Sequence, residues 1–176
     1  MNAAWRLRTP GDTQRFGEAL GGLLFPGAVV ALIGDVGAGK TTMVQAIARG
    51  MGIVEPVTSP TFALIHVYPG PLPLVHVDPY RLDRAAQLYD VGFLEYFAPD
   101  NVVAIEWADR LVEMLPSERL ELRIGEDPDR RPHSAQSEPP RIVVADAYDE
   151  EHAALLRKLA TTPGIAGLRP ASEQAR

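Results

Sequence analysis

The sequence predicts an α/β fold, in which apolar strands alternate with helices around a sheet. The apolar run 28–33 is followed by a glycine-rich segment, 34–41, and then by a helix predicted over 40–49. Two further apolar runs end in an acidic residue, one at Asp78 and the other at Glu106. Because ligands of open α/β sheets bind beyond the carboxyl ends of the strands, this pattern also predicts where a binding site lies.

Hydrophobic spacing predicts the elements on either side of the glycine-rich segment. Asp12 or Thr13 is predicted to cap a first helix, which ends at Pro26-Gly27. The apolar positions of that helix follow helical spacing: Phe16, Ala19, Leu20, Leu23 and Leu24. Two β-rich runs, 62–68 and 74–78, are joined by a proline-containing link and predict a hairpin.

The second half of the chain alternates short helices and strands. The predicted elements are, in chain order, a short helix near 84–89, a buried strand over 102–106, a helix over 108–115, antiparallel edge strands at 120–124 and 141–147, and a helix over 150–160. We interpret residues 1–160 as a single domain, as the chain length favours. Residues 125–140 are rich in charge, Pro, Ser and Gln and predict a mobile loop within it, and 161–176 predict a flexible tail.

The glycine-rich segment has the residue types of a phosphate-binding loop. Its spacing is Gly-x-x-x-x-Gly-Lys-Thr, from Gly34 to Thr41, between a strand and a helix. Glycines let consecutive backbone N–H groups point at an anion, and the helix N-terminus adds partial positive charge. A glycine-rich turn without a ligand is the alternative, but such a turn rarely combines this full spacing with both flanking elements.

Each residue type in this loop suits one part of a nucleoside triphosphate. Lys40 is predicted to bind the β and γ phosphates, with its ammonium facing solvent when no nucleotide is bound. The Thr41 hydroxyl is predicted to ligate Mg²⁺. The predicted nucleotide-binding residues are Asp35, Val36, Gly37, Ala38, Gly39, Lys40, Thr41 and Thr42.

Asp78 and Glu106 are the candidate acids of the site. Phosphate-loop enzymes commonly place an acid at a strand end, where it holds Mg²⁺ directly or through water. Each acid could instead cap the turn that follows it. Beside a phosphate-binding loop, we expect at least one of them to contact the metal site. His76 is interpreted as a packed, hydrogen-bonded strand residue rather than as a catalyst.

Composition restricts the classes of function. Of the 176 residues, 46% are hydrophobic and 23% are charged, which is typical of a soluble globular chain. There is no cysteine, which excludes a disulfide or a thiolate zinc site and leaves Mg²⁺ as the expected metal. A formal net charge of −6 argues against broad electrostatic binding to nucleic acid, so no stable DNA binding is expected.

Hydropathy favours a cytoplasmic protein without membrane association. No apolar run approaches the roughly 20 residues that span a bilayer. Residues 1–9 lack the apolar core of a secretory signal. We therefore expect the protein to act in the cytoplasm.

Five ordered motifs together resemble a known family. They are Gly-Asp-Val-Gly-Ala-Gly-Lys-Thr-Thr at 34–42, Thr-Ser-Pro-Thr-Phe at 58–62, His-Val-Asp-Pro-Tyr-Arg-Leu at 76–82, Val-Gly-Phe-Leu-Glu at 91–95 and Ile-Glu-Trp at 105–107. This set closely resembles the bacterial TsaE (YjeE) ATPases over about residues 9–147. Many families share the first motif, whereas the Ser-Pro-Thr-Phe, His-x-Asp-x-Tyr-Arg and Glu-Trp motifs are specific.

The resemblance implies a P-loop NTPase fold of three layers, αβα, whose central parallel sheet carries antiparallel strands at its edges. It implies an ATPase that uses ATP and Mg²⁺ and supports the synthesis of N6-threonylcarbamoyladenosine in tRNAs that read codons starting with A. The partners implied are the TsaB and TsaD proteins, which form the transferase complex. The tRNA would be reached only through that complex.

The resemblance also implies roles for individual residues. The segment 59–62 resembles a switch that senses the γ phosphate, and Tyr80 and Arg81 resemble residues of the site rim or partner surface. The implied metal ligands are Thr41, Asp78 and Glu106, and the implied catalytic residues are Glu106, Asp78, Lys40 and Thr61. The motifs do not divide the metal-binding and water-positioning roles between the two acids.

Two other classes of function stay open at this point. A translation-type GTPase would need Asn-Lys-x-Asp, and an ABC-type ATPase would need Leu-Ser-Gly-Gly-Gln; the sequence contains neither. A small-molecule kinase is the main alternative, in which Asp78 acts as base for an acceptor hydroxyl. A nucleotide-gated binding module with incidental hydrolysis is the third class.

Overall fold

A computed structural model of the protein describes residues 1–60, 63–82, 87–90, 92–127 and 139–168. Within these ranges the strands are β1 (Asn2–Leu7), β2 (Val29–Ile33), β3 (Ile65–Tyr68), β4 (Leu74–Val77), β5 (Val102–Glu106), β6 (Leu120–Glu126) and β7 (Arg141–Ala147). The α-helices are α1 (Pro10–Gly21), α2 (Lys40–Gly50), α3 (Gln87–Asp90) and α4 (Glu150–Thr161). Three 3₁₀ helices cover Phe93–Tyr96, Ala108–Met114 and Ala166–Leu168.

All seven strands belong to one sheet, in the order β1-β7-β6-β2-β5-β4-β3. The central strands β6, β2, β5 and β4 run parallel to one another. Strand β3 is antiparallel to β4, and on the other side β7 and β1 continue the sheet in antiparallel pairing. The predicted parallel centre with antiparallel flanks is therefore confirmed.

The outer edge of the sheet differs from the prediction. We expected residues 120–124 and 141–147 to be edge strands, but β6 is paired on both sides, parallel to β2 and antiparallel to β7. The edge strand on this side of the sheet is β1, which pairs with β7 and was not predicted from the sequence. Its pattern is the alternation of Ala3, Trp5 and Leu7, whose side chains are buried.

Helices cover both faces of the sheet. One hydrophobic cluster joins α1, α2 and α4 to one face, with Trp5, Phe16 and Met43 among its fully buried side chains. A second cluster joins α3 and two of the 3₁₀ helices to the opposite face beneath β2, β4 and β5. The predicted three-layer arrangement is present, although the second layer consists of short helices.

The N-cap of helix α1 lies three residues before the earlier of its two predicted caps. Thr9 is the N-cap, its hydroxyl accepts from the Asp12 N–H, and Pro10 occupies the first turn. Asp12 accepts in return from the Thr9 backbone N–H and completes a capping box. Asp12 therefore belongs to the cap but lies inside the helix.

The contact between α1 and α2 is close. A Cβ on Gly21 would lie 2.1 Å from the Ile47 carbonyl oxygen, so the absence of a side chain there lets the helices approach. Helix α2 therefore packs closely against α1, and the N-terminus of α2 follows the glycine-rich segment.

The predicted hairpin and most of the predicted helices are present with small changes of boundary. Strands β3 and β4 pair antiparallel across the proline-containing link. Ala108–Met114 is a 3₁₀ helix with a kink at Leu111 rather than an α-helix. The first residues of the helix predicted near 84–89 lie outside the described residues, and α3 covers the rest of it.

The C-terminal helix α4 begins with a charged cap. Asp149 is the N-cap and accepts from the backbone N–H of His152 at 2.9 Å and from its ring Nδ1. Burial alone raises the pKa of Asp149, but the hydrogen bonds from His152 outweigh burial and hold that pKa below its usual value.

The segments predicted as loop and tail are described in part. Residues 125–126 continue β6, and 128–138 lie outside the described residues. After α4 the chain continues along the domain, with Ile165 buried in the core, as far as Leu168. Residues 169–176 lie outside the described residues. Among the helices that the structure describes, none has the length and apolar character needed to cross a membrane.

Candidate nucleotide-binding site

The glycine-rich segment forms an open loop between β2 and α2. Gly37 and Gly39 have φ angles of 78° and 100°, in the region that favours glycine. A Cβ built on either residue would meet no atom within 4 Å, so space is open above the loop. A backbone hydrogen bond from Ala38 N–H to the Asp35 carbonyl closes the turn. This arrangement fits the close approach of a phosphate to backbone N–H groups.

The loop borders a cleft of about 380 Å³ at the carboxyl ends of β2, β4 and β5. The lining residues are Val36, Gly37, Gly39, Lys40, Thr41, Thr42, Ser59, Asp78, Tyr80, Glu106 and Trp107. Most of the predicted site residues are therefore brought together in one place. Asp35 and Ala38 belong to the loop but do not line this cleft, and Thr61 lies outside the described residues.

Lys40 is buried, contrary to our expectation that its ammonium faces solvent. Its side chain extends along the loop, and Nζ donates to the carbonyl oxygens of Gly34 at 2.7 Å and Asp35 at 2.9 Å. The Trp107 ring covers the same ammonium. Lys40 is consequently 4% exposed. Burial lowers the pKa of Lys40, and nearby carboxylates, Glu106 first among them, offset part of that effect.

Glu106 is held between two side chains at the end of β5. The Thr41 hydroxyl, in the first turn of α2, lies 2.8 Å from Glu106 Oε1 and 3.0 Å from Oε2. On the neighbouring strand β4, His76 Nε2 lies 2.9 Å from Oε1. Glu106 is 2% exposed. Its buried carboxylate accepts hydrogen bonds from these two donors.

Asp78 occupies the corresponding position after β4. Its carboxylate accepts from the Ser59 hydroxyl at 2.7 Å and from the Tyr80 backbone N–H at 3.1 Å. The second contact is a local turn cap, so the capping alternative that we considered for Asp78 describes part of its role. Asp78 also contacts the predicted switch, 59–62, through its first residue, Ser59.

Trp107 and Tyr80 form an aromatic wall of the cleft. Their ring centroids lie 4.9 Å apart. Trp107 has a φ angle of 54°, which is uncommon for a bulky residue and turns the chain sharply after Glu106. Arg110 donates from its guanidinium to the Tyr80 carbonyl and so ties the wall to the following 3₁₀ helix.

The donor set of the cleft fits Mg²⁺ bound together with phosphate. Magnesium prefers oxygen ligands and usually keeps several waters and phosphate oxygens in its coordination shell. The hydroxyl of Thr41 and the carboxylates of Asp78 and Glu106 all face the cleft. No group of three or more His, Cys, Asp or Glu side chains that could hold a metal appears in the described ranges. A magnesium ion here therefore needs the threonine hydroxyl and further ligands from a nucleotide.

A second, smaller cleft lies on the other side of the loop and was not anticipated. Its volume is about 190 Å³, and it shares Gly37, Gly39 and Thr42 with the first cleft. Its remaining walls are Leu7, Pro10, Thr13, Ala38, Met43, Ile124 and Arg141. The Arg141 guanidinium donates to the Gly37 carbonyl at 2.9 Å. These residues come from both ends of the chain, so sequence spacing gives no indication of the cleft.

The fold and the cleft together define the class of the chain, a P-loop protein with its phosphate-binding loop at the carboxyl ends of a parallel sheet. A similar solved structure is the crystal structure of YdiB from Bacillus subtilis, with a TM-score of 0.75 and 32% identity over 91% of this chain and 95% of that one. The family model for the threonylcarbamoyl adenosine biosynthesis protein TsaE matches residues 7–133, and the chain belongs to the TsaE family.

Individual relatives agree with the family match. The chain is 42% identical to a tRNA threonylcarbamoyladenosine biosynthesis protein TsaE of Bacillus subtilis over 127 residues, which are 70% of this chain and 79% of that protein. It is also 42% identical to the protein of the same name from Treponema pallidum over 125 residues, or 70% of this chain and 93% of the relative. The resemblance seen in the five motifs is thereby confirmed.

Proposed function

We propose that this protein is a Mg²⁺-dependent ATPase that supports the threonylcarbamoyl transferase complex acting on tRNAs that read codons starting with A. The observation that carries the proposal is the convergence of Lys40, Thr41 and Glu106 in one cleft at the N-terminus of α2. A cation, a hydroxyl and a carboxylate at the end of a phosphate-binding loop are the groups that a nucleoside triphosphate with its metal requires.

The two clefts support one orientation for the nucleotide. The β and γ phosphates would lie in the larger cleft, against the backbone N–H groups of residues 35–42 and the Lys40 ammonium. The base and ribose would extend across Gly37 and Gly39 toward the smaller cleft beside Leu7 and Ile124. Asp35 does not line the larger cleft and would contribute backbone groups, whereas Ala38 lines the smaller cleft.

Mg²⁺ would be held by Thr41, Asp78 and Glu106, directly or through water. When bound, it supplies positive charge that neutralises the β and γ phosphates. Lys40 would supply a second positive charge after exchanging its two carbonyl contacts for phosphate oxygens. Asp78 and Glu106 would hold the attacking water in place.

Partner proteins would control turnover. We expect the segment 59–62 to close over the γ phosphate, with Thr61 presenting its hydroxyl and backbone N–H to it. Ser59 already contacts Asp78, so closure of this segment would act directly on one of the two acids. The TsaB–TsaD complex would stabilise the closed segment in the cytoplasm, and tRNA would be reached through that complex rather than by this acidic chain.

The test measures ATP hydrolysis by the purified chain with and without Mg²⁺ and the TsaB–TsaD complex, and association in ATP, ADP and no nucleotide. We expect slow basal turnover, stimulation by the complex, and loss of stimulation in Thr61→Ala with ATP binding retained. Depletion of the protein in cells should remove threonylcarbamoyladenosine from tRNA. Unstimulated hydrolysis with equal association in all three states would contradict the proposal and favour a small-molecule kinase. Nucleotide-dependent association without hydrolysis would favour a binding module.

A further inference from the structure

His76 is a fully buried titratable side chain to which the proposed function gives no role. It lies in β4, at 0% exposure, on the sheet face that packs against α2. Glu106 lies on the same face of the adjacent strand β5, where His76 is paired with Ala104. The His76–Glu106 contact of 2.9 Å is thus built into the register of two parallel strands.

The chemistry of this contact fixes which nitrogen carries a proton. A carboxylate oxygen accepts hydrogen bonds, so Nε2 must be the donor toward Glu106. The other nitrogen, Nδ1, is buried and has no hydrogen-bond partner among the described residues. An unpaired lone pair on Nδ1 costs less in this place than an unpaired N–H donor, which is a second reason to place a ring proton on Nε2.

Among the described residues, Glu106 accepts side-chain hydrogen bonds from Thr41 and His76. Without His76, the Thr41 hydroxyl would be the remaining donor in that part of the chain, and its oxygen must also serve Mg²⁺. A glutamate side chain has three rotatable bonds and would then adopt several orientations. Binding the metal and the water would require a single orientation of the carboxylate. The His76 donor adds a second contact at Oε1, from strand β4.

We propose that His76 is a positioning residue, which donates Nε2–H to Glu106 and holds this carboxylate in the orientation needed beside Thr41. The proposal deepens the proposed function and rests on it. Partners of this kind around metal-site ligands typically change activity by about 10- to 100-fold when they are removed.

The test compares two substitutions of similar size. His76→Gln keeps an N–H donor near the position of Nε2, whereas His76→Leu keeps an apolar volume without a donor. We expect His76→Leu to lower kcat by about 10-fold or more with KM for ATP within about twofold, and His76→Gln to recover most of the loss. Equal kcat in His76→Leu and wild type, or equal losses in the two variants, would overturn the proposal.

His66 provides the matched control, since it faces His76 across the β3–β4 pair in the same register. Its ring stacks on Tyr68 and is partly exposed, with Glu55 as its charged neighbour rather than Glu106. His66→Leu should leave kcat at the wild-type value. A loss equal to that of His76→Leu would mean that the hairpin, rather than the donor, is responsible.

A readout without nucleotide separates this proposal from the ATPase proposal. Nitrogen-15 NMR of the nucleotide-free protein should show the His76 ring proton on Nε2, protected from exchange, and Glu106→Ala should shift it or abolish its protection. A ring with no proton on Nε2, or one unaffected by Glu106→Ala, would refute the His76 contact even if the protein hydrolyses ATP. Detection of the His76 proton on Nε2, together with no ATP hydrolysis by wild type, would instead overturn the proposed ATPase activity, and the His76–Glu106 contact would stand. If His76→Leu fails to fold, the wild-type spectrum still tests whether His76 donates a hydrogen bond to Glu106.

Discussion

The Lys40 ammonium lies 3.3 Å from the centroid of the Trp107 ring, a cation–π contact inside the cleft. The two residues come from different elements, Lys40 from the start of α2 and Trp107 from the turn after β5. A phosphate that binds Lys40 must compete with this ring as well as with two carbonyl oxygens. Trp107 is therefore placed to report on the nucleotide.

The first prediction uses this contact as a spectroscopic reporter. Because ATP draws the Lys40 charge away from the indole, the emission of Trp107 should change on titration with ATP. The measurement is made in a Trp5→Phe background, since Trp5 is the second tryptophan and is buried against Phe16. Trp107→Phe, with Trp5 retained, is the control and should respond little. An equal response from this control would contradict the prediction.

The second prediction concerns the charge of Lys40. Lys40→Ala should lose hydrolysis and weaken ATP binding by about 10-fold or more, because the charge-assisted bonds to the phosphates are lost. The fold should persist, since Lys40 donates to carbonyls of the half-buried Gly34 and the exposed Asp35 rather than to groups of the core. Calorimetric titration with ATP, alongside circular dichroism, measures both effects. Lys158→Ala, an exposed lysine on α4, should behave as wild type. Wild-type turnover in Lys40→Ala would remove this cleft from consideration.

The third prediction tests the two acids. Asp78→Asn and Glu106→Gln should each lower kcat by about 100-fold or more, as the loss of an acid–base or electrostatic contribution usually does. Both substitutions keep the size of the side chain, and Asn can still accept from Ser59. Nucleotide binding should survive in both variants. Steady-state ATPase assays over a Mg²⁺ series provide the measurement.

The control for the acids is Glu113→Gln, an exposed carboxylate on the 3₁₀ helix that follows Trp107. It should leave both kcat and the Mg²⁺ dependence unchanged. If Asp78→Asn also leaves both unchanged, Asp78 is the cap of the Tyr80 turn and takes no part in the reaction.

The fourth prediction follows from the lowered pKa of Asp149. Its folded-state pKa lies below the ordinary value of 3.8, so the unfolded chain binds more protons between the two values. The stabilisation is therefore present above pH 3.8 and is lost as the pH falls through the folded-state pKa. Asp149→Ala should cost about 1 kcal/mol at pH 7, and the difference from wild type should vanish in acid.

Urea unfolding of wild type, Asp149→Ala and Asp149→Asn over a pH series makes the measurement. Asn also caps helices, so Asp149→Asn should keep most of the capping energy and show a weaker pH dependence. A constant difference between wild type and Asp149→Ala down to the lowest pH would exclude the ionised cap as its source.

The features that were predicted correctly depend on residues close together in the sequence. The strand, loop and helix over 29–50 are specified by a run of apolar residues, a glycine pattern and helical spacing, all local. The positions of Asp78 and Glu106 at strand ends were predicted for the same reason, since each ends an apolar run, and their roles stay predictions. Local patterns also gave the β3–β4 hairpin.

The features that were missed depend on distant residues. The place of strand β1 at the edge of the sheet is defined by its pairing with β7, which no local pattern contains. Arg141 reaches the phosphate-binding loop from β7, and the Lys40 ammonium is buried because Trp107 lies above it. The α1 boundary is a different case, because the sequence Thr-Pro-x-Asp at 9–12 contains a capping box and could have placed it.

The pairing of β1 with β7 has a consequence for how the protein is made. Asn2 and Asp146 are bonded neighbours across 144 positions of sequence. A ribosome that adds about 5–20 residues per second needs roughly 7 to 30 s to cover that interval. During that interval the apolar face of β1, with Trp5 at its centre, has no β7 to pair with. The sheet therefore closes at this edge only after residues 141–147 have been made, and a chain truncated before residue 141 leaves β1 without the strand that pairs with it.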